Sequence, residues 1–139
     1  MDPSILDHSL YTLYLMKVPV TIYIDEVLDF HSNSRGGRGI MALVSRGREQ
    51  GITFLCTTQR PSLISPFLYT EAPHTYIFRL RFKGDRKKIE EITGFNVPQP
   101  KKHHFYYVDL ENEPVYYEPV PMSVPLARRN ALMAPLKKT

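Results

Sequence analysis

Two acids, Asp25 and Glu26, stand side by side at the end of the apolar run Val20-Thr21-Ile22-Tyr23-Ile24. A second apolar run, from Ile52 to Cys56, ends in Thr57-Thr58-Gln59-Arg60. An aspartate at a strand tip can order water around a magnesium ion carried by nucleotide phosphates. A neighbouring glutamate can polarise the attacking water. A glutamine at the adjoining tip can hold the same water or sense the terminal phosphate. A purely structural alternative exists, because acids that follow a strand often open a helix, where the amide dipoles favour negative charge. A third reading groups Asp25, Glu26 and Asp29 as the metal ligands of a small nuclease or hydrolase. No second cluster of His, Asp or Glu completes a two-metal site for it.

The elements around these residues decide whether they can meet. Residues 20–25 and 52–57 are unbroken apolar runs, which suits parallel strands covered on both faces. Between them, 32–39 is a polar, Gly-rich loop. Residues 40–50 follow as a helix whose inward stripe is Ile40, Leu43, Val44 and Gly47, stopped by Gly51. If the two strands are parallel neighbours about 4.8 Å apart, Glu26 and Gln59 share one rim. Ligands of open α/β sheets gather at that rim, outside the carboxyl ends of the strands.

Upstream, Ile5, Leu6, Leu10, Leu13 and Tyr14 recur at helical spacing, predicting an amphipathic helix over 5–16 that Lys17-Val18-Pro19 ends. Downstream, 75–82 forms a third strand, alternating at Arg79 and Arg81, at the sheet edge or leading out of it. A helix over 85–93 has Asp85 as N-cap and Gly94 as its stop. A hairpin pairs 104–110 with 114–118. The order indicates an α/β fold of mostly parallel core strands with a C-terminal antiparallel hairpin. Residues 1–118 make up the folded part, and 119–139 a Pro-rich, basic arm or linker. There are no internal repeats.

The totals exclude several classes. With 42% hydrophobic residues the 139-residue chain can build a core. Its 18 Lys and Arg against 14 Asp and Glu, a net charge of +4, permit contact with DNA without demonstrating it. The single cysteine, Cys56, rules out an internal disulfide or a cysteine zinc site and reads as a buried, inert thiol. No apolar run approaches the roughly 20 residues that span a membrane, and no signal peptide opens the chain. The expectation is a soluble, cytoplasmic protein without a membrane partner. His103 and His104, adjacent on a strand, would point to opposite faces and share no metal. The pairs Tyr106-Tyr107 and Tyr116-Tyr117 would each put one ring on either face of the hairpin, where a ring can stack on bases or pack in a core.

Residues 40–64, "IMALVSRGREQGITFLCTTQRPSLI", resemble the FtsK–HerA superfamily of hexameric, DNA-translocating P-loop ATPases, including the relatives that package viral DNA. The resemblance rests on three elements in order: the strand ending in Asp25-Glu26, the string "RGREQGI", and Thr58-Gln59-Arg60-Pro61-Ser62. It extends from about Val18 to Gly94 through "DRKKIEEITGF". It implies a partial RecA-like sheet. It implies that Asp25 is the magnesium-side Walker B acid, Glu26 the catalytic base and Gln59 the sensor, with Thr58 beside Asp25 on the nucleotide side. Arg46 or Arg48 would be the finger that reaches a neighbouring subunit's nucleotide. At about 100° per residue the two flank opposite sides of the helix stripe. They cannot both face one phosphate unless the helix has ended, and the loosening glycines 47 and 51 favour Arg48. The loop arginines Arg35 and Arg38 could touch phosphate backbone in a central pore.

One motif is missing. Such ATPases hold phosphates with G-x-x-x-x-G-K-[ST], whose backbone amides and lysine cradle the anion. The stretch "SRGGRGIM" lacks the Gly-Lys-Ser/Thr ending and follows the acidic strand instead of preceding it. The expectation is the C-terminal half of an ATPase core that binds ATP and Mg2+ only when a P-loop half is supplied, as a homo-oligomer or with a P-loop-bearing subunit. Alone it would be inactive. The alternative is a non-catalytic interaction module, derived from such an ATPase, that binds a related motor or DNA.

Overall fold

The computed structural model describes residues 2–31, 36–109 and 111–119. They fall into two compact units, Met1–Ala72 and Pro73–Thr139. The fold is mixed α/β, with a two-stranded parallel sheet and a three-stranded antiparallel sheet.

In the first unit, α1 runs from Pro3 to Met16. Asp2 caps it by accepting from the Ser4 amide at 2.9 Å, Pro3 supplies the preset φ of a first turn, and Lys17 ends it in the left-handed region (φ 54°). Its inward side is Leu6, Leu10 and Tyr14, whereas Ile5, placed on that side by spacing, is 61% exposed. Strand β1 (Thr21–Ile24) pairs in parallel with β2 (Thr53–Cys56) in the register Thr21↔Thr53 to Ile24↔Cys56. Between them lies α2 (Arg38–Arg46). The helix begins two residues earlier than its apolar stripe suggests, so Arg38 belongs to its first turn and not to a loop. It also ends earlier: Gly47–Gln50 is a 3-10 turn and Gly51 turns the chain at φ 73°.

Ile40, Leu43 and Gly47 of the predicted stripe are buried and Val44 is half-buried. They join Leu10, Ile24, Val27, Ile52, Ile64 and Leu68 in one core. The helices α1 and α2 meet closely because Asp7 on α1 accepts from the Gly39 and Ile40 amides at 2.8 and 3.3 Å, capping the free N–H groups of α2. A short helix α3 (Pro66–Thr70) follows, capped by the Ser65 hydroxyl.

The parallel sheet is covered on one face only, which corrects the expectation of two covered faces. Tyr23 and Leu55, paired in register on the same side, are 61% and 51% exposed. Cys56 is exposed too, although desolvation by neighbouring atoms pushes its thiol up to about 11. The expectation of a buried thiol is therefore corrected.

In the second unit, β3 (His74–Ile77) is shorter than the predicted 75–82 strand and pairs antiparallel with β4 (Phe105–Asp109), which pairs with β5 (Val115–Tyr117). The third strand therefore belongs to the hairpin's sheet, not to the parallel one. Helix α4 (Lys83–Thr93) starts from Phe82, so Asp85 is not its cap but a buried residue of its first turn; Gly94 ends it at φ 70°. Ile77, Ile89, Val97 and Val108 form this unit's core, with Tyr106 packed against them. His103 and His104 precede β4 instead of lying on it, and His103 has a positive φ of 67°.

Candidate functional site

Parallel pairing brings the two polar strand ends to one rim. The Thr57 amide donates to the Ile24 carbonyl at 3.0 Å, and the Val27 amide to the Thr57 carbonyl at 2.8 Å. The ladder thus continues past the strands and fixes where each side chain leaves the sheet. The Thr57 hydroxyl donates to Asp25 Oδ1 at 2.7 Å and accepts from the Glu26 amide at 3.2 Å. Thr58 Oγ1 donates to Glu26 Oε1 at 2.7 Å, and the Gln59 amide donates to Glu26 Oε2 at 3.0 Å. The Thr58 hydroxyl also accepts from the Arg60 amide at 3.1 Å, which tightens the turn. On the strand itself, the Tyr23 hydroxyl reaches Asp25 Oδ1 at 3.4 Å.

Glu26 sits at φ 55°, ψ 73°, the left-handed region that a non-glycine residue avoids at a cost of about 1–2 kcal/mol. It precedes a 3-10 turn over Val27–Asp29 but gives that turn no side-chain cap. Its carboxylate crosses to the tip of β2 instead, which removes the helix-cap alternative. Two of the carboxylate's roughly four lone-pair sites are occupied by Thr58 and Gln59, leaving acceptors for a water at the rim.

The structure brings Asp25, Glu26, Thr58 and Gln59 together, and adds Thr57, which sequence reasoning passed over. Thr57 lies one residue beyond β2, and its opposite-strand partners are fixed only by the register. Arg46 closes α2 and Arg48 lies in the 3-10 turn, both exposed; among the described residues neither bonds to the rim cluster. The helix has ended between them, so the helical argument that separated their directions does not hold past Arg46. Arg38 stacks over the Tyr11 ring at 4.2 Å. Arg35 and the arm from residue 120 lie outside the described residues.

Among the described residues no three His, Cys, Asp or Glu side chains converge as a metal cage. Asp25 is an exposed carboxylate flanked by hydroxyls, which fits the magnesium mode in which one carboxylate holds an ion that keeps waters and takes substrate phosphate oxygens.

The fold is similar to that of solved viral genome-packaging NTPases. In sequence, the chain is 25% identical over 154 residues to the DNA packaging ATPase P9 of Enterobacteria phage PRD1, an alignment covering all of this chain and 65% of P9. In structure, it is similar to the genome packaging NTPase B204 of Sulfolobus turreted icosahedral virus 2 bound to sulfate, with a TM-score of 0.75, 17% identity, and 87% of this chain on 64% of B204. The ATP-gammaS complex of that protein gives a TM-score of 0.69 at 18% identity, covering 84% and 60%. The B204 ATPase of Sulfolobus Turreted Icosahedral Virus gives 0.67 at 20%, covering 84% and 62%. No family profile matches the chain. It spans less than two thirds of the length of these proteins. Among the described residues no helix is long and apolar enough to cross a membrane.

Proposed function

We propose that this chain is the Walker B and sensor half of a DNA-packaging ATPase with a RecA-like core. The observation that carries the reading is the Glu26 carboxylate, bonded to Thr58 and Gln59 at the carboxyl rim of a parallel strand pair. Asp25 is the acid on the magnesium side. Glu26 accepts a proton from the attacking water, and Gln59 orients that water or senses the terminal phosphate. Thr58 holds Glu26. Arg48, or Arg46, is exposed as a finger for a neighbouring subunit's nucleotide must be, and Arg35 and Arg38 contact the DNA backbone. Bound magnesium and ATP supply the phosphoryl group and its charge neutralisation; this chain positions the water and removes its proton.

The acids at the rim repel a triphosphate unless amide donors and a lysine balance them, and no Walker A string occurs in the sequence. The reading therefore requires a P-loop-bearing segment or subunit. ATP hydrolysis is measured after co-expression with a partner that carries the phosphate loop. Activity should appear in the mixture and fall by about 100-fold or more with Glu26→Gln. A mixture equally active with that substitution defeats the assignment.

The absent phosphate loop favours one second reading: a non-catalytic module that keeps the subunit-contact surface and binds a related motor or DNA. Under it, no P-loop partner restores turnover, and a related ATPase is recovered on the immobilised chain. Micromolar ATP binding by the chain alone, measured calorimetrically, excludes it.

A further inference from the structure

We propose that the aromatic face of the β3-β4-β5 sheet is a stacking platform for single-stranded DNA, whose phosphates are held at one end of the sheet by Arg79, Arg81, Lys101 and Lys102. The two faces of this sheet differ. Ile77, Val108 and Tyr106 face the core with Ile89 and Val97. The other face carries rings: Tyr76 lies 5.3 Å from Tyr107, and Phe105 lies 5.3 Å from Phe78 and 5.2 Å from Tyr117, centroid to centroid. A sheet face left to water is ordinarily polar. Here Tyr76 and Phe78 are 55% and 54% exposed, and Phe105, packed against both, is itself buried and props them up. Such a patch marks a contact. Alternate residues of an extended chain stand about 6.7 Å apart. Tyr76 and Phe78 can therefore each take a separate base, provided the bases are not stacked on one another. A duplex hides the flat faces of its bases, so the platform selects an unpaired strand.

Charge separates along the sheet in the way such a strand needs. Strand β3 leaves where β4 enters, since Ile77 pairs with Tyr106. Arg79 and Arg81 follow β3, and Lys101 and Lys102 precede β4. The Gln99 side-chain amide ties these two segments together: its oxygen accepts from the Leu80 N–H at 3.1 Å, and its nitrogen donates to the Leu80 carbonyl. All four cations are exposed, and among the described residues none is in an ion pair. The opposite end of the sheet is acidic, with Asp109 and Glu111. Asp109 is engaged in its own turn, accepting from the Glu111 and Asn112 amides at 2.9 and 2.7 Å. Glu118 follows β5, the strand at the far edge from β3. A phosphate backbone is thus drawn to the end that holds Phe78 and Phe105 and repelled from the other. That the strand is DNA rests on the function proposed above; the platform itself needs neither nucleotide nor a phosphate-loop partner.

The test is fluorescence anisotropy of a labelled thymidine oligonucleotide of about 12 residues, titrated with the full chain at several salt concentrations. Tyr76→Ala with Phe78→Ala should weaken binding about 10-fold or more, whereas Tyr76→Phe with Phe78→Tyr should retain it. Arg79→Gln, Lys101→Gln and Lys102→Gln together should lower the slope of log affinity against log salt by about 2. Binding of a duplex of the same length should be indifferent to the ring substitutions. In the unaltered chain, NMR should show the Tyr76 and Phe78 ring signals shifting as the oligonucleotide is added, a readout that does not depend on any variant folding. Ring signals that stay put, or an affinity unchanged by the alanine pair, overturn the proposal. So do ring signals that move with the chain's own concentration alone, which place a second copy on the face. A poly-glutamate peptide or a uridine oligoribonucleotide that binds these rings more tightly than the DNA overturns it as well. The titration contains no ATP and no phosphate-loop partner, so failure of this site and failure of the ATPase reading are seen separately.

Discussion

Thr57 illustrates how one hydroxyl can set two acids. It donates to Asp25 and accepts from the Glu26 amide, so it fixes both the first carboxylate and the strained backbone of the second. Thr57→Val keeps the shape and removes both bonds. The expected loss is about 1 kcal/mol in urea unfolding, since these bonds are near solvent. Thr57→Ser should restore most of it; equal midpoints for valine and threonine would show that the hydroxyl orders nothing. A second residue-scale effect comes from His31, which is 2% exposed and has no hydrogen-bond partner on either ring nitrogen among the described residues. Burial pushes its pKa below the ordinary 6.5, and the Asp7 charge opposes this only in part. Between the folded and unfolded values, only the unfolded chain takes up the proton. The stability that neutral His31 permits is therefore complete above about pH 6.5 and is lost as pH falls through that window. His31→Leu should flatten this part of the stability-against-pH curve, followed by thermal unfolding from pH 8 to 5, and should not weaken the fold at pH 8. An unchanged slope would place the titration elsewhere.

At the scale of elements, the α1–α2 contact depends on an absent side chain. A Cβ on Gly39 would collide with the Asp7 carbonyl oxygen and come within 2.8 Å of the Tyr11 backbone nitrogen. Alanine there gains about 1 kcal/mol of helix propensity. Separating two packed helices, and losing the Asp7 cap on the Gly39 and Ile40 amides, costs more. Gly39→Ala should be net destabilising by about 1–3 kcal/mol in chemical unfolding, and a stabilised variant would contradict the close approach. The sequence shows the inward stripe of α2 because Ile40, Leu43 and Gly47 carry the helical period, and it shows the parallel pair because both runs are apolar and joined by a helix. It does not show the glycine contact, since Gly39 lies in a polar stretch with no pattern of its own. Helix α3 escapes periodicity at five residues, although Ser65-Pro66 is a cap followed by a first-turn proline. Alternation makes 75–82 a strand but carries no information about its neighbour, and β3 pairs with the hairpin. The rim cluster is legible as two polar strand ends. The left-handed Glu26 and the Thr57 bridge are not, because both depend on a register between residues about thirty positions apart.

For the whole molecule, the uncovered side of the parallel sheet has the largest consequence. Parallel strands are stable with both faces covered, and here Thr21, Tyr23, Thr53 and Leu55 form a face that no described element buries. Fully burying a large apolar side chain is worth about 1.5–3 kcal/mol, so covering Tyr23 and Leu55 offers a drive comparable to weak association. The chain spans less than two thirds of the proteins it resembles, and the P-loop-bearing segment of the proposed function is a natural cover. Alone, the chain should therefore self-associate reversibly, seen as a sedimentation coefficient that rises with concentration. Tyr23→Glu with Leu55→Lys should shift that curve toward monomer, and the corresponding change on the second unit, Tyr76→Glu, should not reproduce it. Adding a phosphate-loop partner should replace self-association by a hetero-complex in which the Tyr23 and Leu55 region is protected from hydrogen exchange. A chain that stays monomeric near 100 μM, roughly the concentration at which association worth about 5–6 kcal/mol becomes visible, would show that the bare face is tolerated, and the need for a partner would then have to rest on the missing phosphate loop alone.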